Sequence, residues 1–94
     1  MSGRYQPGDW VVYAMPKASE HPGSRAREVT PTPHGDDYNY VVDKFWTVAE
    51  VRSDGKILAR TRRGKEHVLD SHDPLLRHAK WWERLLHRKR FPSP

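Results

Sequence analysis

The sequence predicts a mainly β domain: a small curved barrel of four to five short strands, with a long connection in its N-terminal half and a C-terminal α-helix. Three observations lead there. Short apolar runs with period-two alternation recur between Gly and Pro turn signals. The run from Phe45 to Asp70 carries a well-specified turn at Asp54-Gly55. Beyond Asp73-Pro74 the apolar spacing lengthens to that of a helix. The core must come from few residues, because only 35% of the 94 are hydrophobic and eight prolines and six glycines interrupt them. Four Trp and four Tyr offset that shortage, since each buried aromatic removes a large area from water.

Gly8 to Ala14 reads as the first strand, entered through a turn at Pro7-Gly8. Trp10, Val12 and Ala14 fall on one face and Val11 and Tyr13 on the other, so both faces are expected to be covered. Met15 to Asp37 contains Pro16, Pro22, Pro31 and Pro33 without periodicity, and reads as a long loop, either disordered or ordered for binding. Tyr38 to Arg52 is β-prone with a bend at Asp43-Lys44. The segment Arg52–Lys56 suits a type I turn followed by Gly55 in the left-handed region, a three-residue hairpin loop. That register sets Val51 opposite Ile57, Ala49 opposite Ala59 and Thr47 opposite Thr61 on the core side. The other face then carries Trp46 opposite Arg62, Val48 opposite Arg60 and Glu50 opposite Leu58.

Arg63-Gly64-Lys65 supplies a second turn, and Glu66 to Leu69 a closing strand. Asp73 as cap and Pro74 at the first helical position open a helix expected over 73–90. Leu75, Ala79, Trp82 and Leu86 form its apolar stripe; Arg77, Lys80, Arg84 and Arg88 lie opposite, with Trp81 among them. The whole reads as a single domain, 1–94, with residues 5–70 as the barrel and 15–37 as its loop.

Charge is the strongest functional signal. Residues 1–50 carry a net −2 and residues 51–94 a net +7, which favours a negative partner for the C-terminal half: nucleic acid or an acidic protein. Arg60 and Arg62 alternate along one strand, and Arg63 and Lys65 follow in the next turn, so their positive charge is expected on one face beside Trp46. The helix stripe Arg77, Arg84 and Arg88 extends that track. Phosphates need cations spaced along a backbone, and Trp46 or Trp81 offers a surface on which an unpaired base can stack. The alternative for Trp46 is packing against arginine stems, and for the stripe a solvated face.

Other chemistry finds little support. Without cysteine there is no disulfide, thiolate site or thiol nucleophile. His67 and His72, with Asp70 and Asp73, are the nearest approach to a metal cluster, but strand and turn positions are not expected to converge, so no metal or cofactor is expected. Asp36 and Asp37 beside His34 read as a solvated loop cluster. No phosphate-cradling glycine pattern and no nucleophile elbow occur, so the expectation is a binding module and not an enzyme. No apolar run is long enough to span a bilayer, and MSGRYQPGDW lacks a secretory signal, so a cytoplasmic protein, monomeric or weakly dimeric and without a membrane partner, is expected.

The succession PGDWVVY, SDGK and RTRRGKEHVL resembles small SH3-like barrels of the KOW and Tudor type. In those families a Gly-Asp opens the barrel before a short apolar strand, here Gly8 and Asp9 before Trp10–Tyr13, and a later hairpin has a tight Gly turn, here Asp54-Gly55. The likeness covers about residues 5–70 and implies a barrel of a class that can offer a groove for an acidic or proline-containing peptide, here formed by Trp46, Trp81 and the ordered part of the Met15–Asp37 loop. The insertion 15–37 and the terminal WWERLLHRKRFP depart from a minimal module. The chain also resembles a short bacterial family, a likeness that implies no activity.

Overall fold

A computed structural model of the chain describes residues 4–33 and 35–92. Its strands are β1 (Trp10–Ser19), β2 (Ala26–Pro31), β3 (Tyr38–Val51), β4 (Lys56–Arg60), β5 (Glu66–Asp70) and β6 (Leu76–His78), followed by helix α1 (Trp81–Leu86) and a 3-10 turn at Arg88–Arg90. The sheet runs in the order β5-β4-β3-β1-β6, with β2 also paired to β3. The fold is therefore mainly β with a short C-terminal helix. Two compact units share it: residues 1–13 with 45–94, and residues 14–44, with β1 and β3 each passing from one to the other.

In the first unit, two three-residue loops join β3, β4 and β5. In the first loop the Arg52 amide donates to the Lys56 carbonyl at 2.9 Å, the Lys56 amide donates to Asp54 Oδ1, and Gly55 sits at φ +83. The second repeats the device: the Thr61 amide donates to the Lys65 carbonyl at 2.7 Å, and Gly64 sits at φ +87. Glycine is favoured at both points because a Cβ disfavours the left-handed region.

The first pairs out of the loop, Val51–Ile57 and Glu50–Leu58, are those the sequence predicts. A bulge between Val48 and Glu50 then advances the ladder, giving Val48–Ala59 and Thr47–Arg60 in place of Ala49–Ala59 and Val48–Arg60. One extra residue turns Trp46 and Val48 to the face of Ile57 and Ala59.

That face is the main core. Val11, Trp46, Val48, Ile57 and Ala59 are buried, and Tyr5 and Leu76 are buried with them. Tyr5 donates its hydroxyl to the Leu76 carbonyl, and its ring stacks on His78 with centroids 4.4 Å apart. Trp10, Val12 and Phe45 form a second cluster, closed by Phe91.

The expected helix over 73–90 is replaced by a turn, a strand and a short helix. Asp73 Oδ1 accepts the Leu75 amide and its Oδ2 accepts the Tyr13 hydroxyl, so Asp73 shapes a turn. Residues 76–78 then pair antiparallel with Val11–Tyr13. The open edge of β1 needs hydrogen-bond partners that a helix starting at Asp73 would not supply.

The unit of residues 14–44 corrects the expected loop over 15–37: β1 continues to Ser19 and β2 occupies Ala26–Pro31, so the sheet has six strands where four to five are expected. β2 pairs with β3 from Ala26–Val42 to Pro31–Tyr38, with a register shift between Arg27 and Thr30. Arg27 clasps Asp43 through Nε and Nη2, and Ser19 Oγ meets the Tyr40 hydroxyl at 2.9 Å. Every residue of β2 after Ala26 is exposed.

Candidate functional site

Helix α1 is fastened by a carboxylate. Glu83 is its one buried residue, and Arg77 on β6 grips it with both terminal nitrogens, at 2.6 Å to Oε1 and 2.8 Å to Oε2. Glu83 Oε1 also accepts the Lys80 amide at 2.9 Å, closing the first turn. The hydrogen bonds from Arg77 lead in holding the Glu83 carboxyl down to about 2, against the opposing effect of burial. Beyond the helix, Phe91 inserts beside Trp10 and Phe45, at centroid distances of 4.4 and 5.1 Å. The helix is thus pinned at one end by an ion pair and followed by an aromatic anchor.

Its apolar residues face outward as a result. Trp81 is 74% exposed, Leu85 69% and Leu86 72%, with Trp82 also exposed. Trp81 and Leu85 border a groove of about 870 Å³ whose floor includes Trp10, Phe91 and Pro92. Four cations line it, Arg62 from the β4–β5 loop and Arg84, Arg88 and Lys89 from the C-terminal segment, and no described carboxylate does. None of the four makes a salt bridge among the described residues. The Arg84 guanidinium lies 5.5 Å from the Trp10 ring centre.

The groove collects four residues expected from sequence: Arg62, Arg84, Arg88 and Trp81. The others go elsewhere. Trp46, expected as a stacking surface beside the arginines, is 4% exposed and lies between Tyr13 and His67, at 5.4 and 4.6 Å. The bulge explains this, because it turns Trp46 to the core face. Arg60 reaches across the ladder to Glu66 at 2.9 Å, and Arg77 serves Glu83. Arg63 and Lys65 are exposed in the β4–β5 loop and do not line the groove. Trp10, Leu85, Phe91 and Pro92 were not legible as site residues, Trp10 because its strand is expected to be covered on both faces.

A second hollow of about 360 Å³ is lined by Arg4, Arg52, Lys56 and His72 among others, but Lys56 already faces Asp70 at 3.6 Å. Among the described residues, no group of three His, Asp or Glu side chains is placed to hold a metal. His34, beside Asp36 and Asp37, lies outside the described residues. No described helix is long and apolar enough to cross a membrane. Comparisons with protein-family models, curated proteins and solved structures find no match to this chain.

Proposed function

We propose that this chain is a non-enzymatic nucleic-acid-binding module, with an SH3-like barrel as its scaffold, that contacts the phosphate backbone through the groove beside α1. One observation carries the reading: Arg62, Arg84, Arg88 and Lys89 line a single groove that no described carboxylate shares. Unpaired surface cations gathered this way suit a polyanion, because each phosphate neutralised releases a counterion. Shape and charge supply the affinity, since the groove offers arginine and lysine beside aromatic and aliphatic groups and no side-chain amide for reading adenine edges.

Fluorescence anisotropy with labelled oligonucleotides across a salt series tests this. Binding is expected at low salt, with log K falling by roughly 0.7–0.9 per phosphate contact for each decade of salt. Absence of binding at low salt removes the proposal. A protein partner is the second reading, favoured by Trp82 and Leu86, which stay exposed without lining the groove. A pull-down that survives nuclease treatment and is lost in Leu86→Asp would favour it.

A further inference from the structure

We infer that the groove seats an unpaired nucleotide, its base laid on the Trp81 indole and its flanking phosphates met by Arg62, Arg84 and Arg88; this rests on the nucleic-acid reading above. The four tryptophans differ in what already occupies their faces. Trp46 is enclosed by Tyr13 and His67. Trp10 has Phe91 at 4.4 Å and the Arg84 guanidinium at 5.5 Å. Trp82 has the Lys80 ammonium 5.9 Å from its ring centre. Trp81 alone has no ring or cation partner among the described residues, and it is the most exposed large apolar side chain described. A domain with so small a core gains from burying an indole, so one left in water beside four cations points to a ligand that brings its own flat surface.

Duplex fits the same residues poorly. Its bases are stacked inside, and protein reaches mainly their edges, most fully through a helix or ribbon in the major groove. Helix α1 has six residues, and of its outward side chains only Arg84 can reach a base edge with a strong donor, while Trp81, Trp82, Leu85 and Leu86 offer at most indole N–H groups. Against a duplex backbone those residues would desolvate phosphates without pairing them. A single strand presents a free π-face beside each phosphate, so Trp81 and Leu85 take the base while the arginines follow the chain. The sugar is not distinguished by these contacts, and RNA and DNA strands share the chemistry.

Anisotropy measurements with labelled oligo-dT and oligo-rU strands, and with a blunt duplex of equal length, test the inference on the wild type, Trp81→Ala and Trp81→Phe. Single strands of either sugar are expected to bind at least about tenfold more tightly than duplex. Trp81→Ala should lose about tenfold to a hundredfold on single strands, with Trp81→Phe retaining most of the affinity and the salt slope unchanged in both. Trp81 is exposed, so a folded variant is expected, and circular dichroism checks it. If Trp81→Ala binds single strands as well as the wild type, or if duplex binds as tightly as single strands, the stacked base is overturned while the phosphate contacts stand. If neither form binds at low salt, both readings fall. Trp81-dependent sedimentation with phosphatidylserine vesicles, without strand binding, would assign the indole to a lipid surface and overturn the inference.

Discussion

Trp46 and Trp81 occupy opposite situations within one unit. Around Trp46, in the sheet formed by β3, β4 and β5, apolar groups point inward, and the nearby cation Arg60 is matched across the ladder by Glu66. In residues 80–92 the arrangement is inverted: a carboxylate points inward, and tryptophan and leucine point out among cations. The sheet can bury its aromatics because alternation and register give it a closed face. The helix has six residues, too few to hold itself by propensity, and it is held by Arg77 and Phe91 from outside its own apolar residues. That frees Trp81 and Leu85 for a ligand.

The largest expected effect separates the two indoles. Trp46→Ala removes a buried ring and should cost about 3–5 kcal/mol in urea-unfolding stability. Trp81→Ala should change it by no more than about 0.5 kcal/mol, as for other surface positions. Equal costs would break the comparison, since they would mean that Trp81 is structural. Next comes the clasp. Glu83 has its folded pKa depressed from 4.5 to about 2, so its contribution is present above the unfolded value and is lost as pH falls through the folded one. Stability should therefore decline between about pH 4.5 and 2, by roughly 3 kcal/mol from this group. Glu83→Gln should be less stable at neutral pH by about 1–3 kcal/mol and flatter across that acid window. An unchanged acid profile in Glu83→Gln would show that the helix is held by something other than the ion pair.

What the sequence disclosed follows the same division. The β3–β4 hairpin was legible because Asp54 and Gly55 specify the loop and the loop specifies the first pairs. The bulge was not, because one unpaired residue in an apolar run leaves no mark on the alternation, yet it decides which way Trp46 faces. The strands in residues 14–44 were hidden by prolines. Pro16 lies within β1 and Pro31 ends β2, positions where a ladder tolerates a missing N–H. The terminal helix was overextended because Leu75, Ala79, Trp82 and Leu86 do repeat at helical spacing. The demand of the β1 edge for backbone partners outweighed that pattern and drew residues 76–78 into the sheet. Of the groove, the cations at 62, 84 and 88 and Trp81 could be read from charge and spacing, whereas its floor depends on Phe91 packing back onto Trp10, a long-range contact without a local signature.

The smallest effects sharpen the contrast between matched and unmatched cations. Arg60 and Glu66 form an exposed pair, so Arg60→Ala should cost well under about 1 kcal/mol of stability. It should also leave nucleic-acid affinity and its salt dependence as they were, because Arg60 does not line the groove. Arg88→Ala is the counterpart: no described carboxylate loses a partner, so stability should hold, while the slope of log K against log salt should become shallower by about 0.7 for a single strand. The two variants remove the same charge from one protein, so net charge alone predicts equal changes in slope. A slope altered by Arg88→Ala and untouched by Arg60→Ala separates a local groove from a diffuse positive field. Equal shallowing in both would mean that phosphate is attracted by the +7 half as a whole.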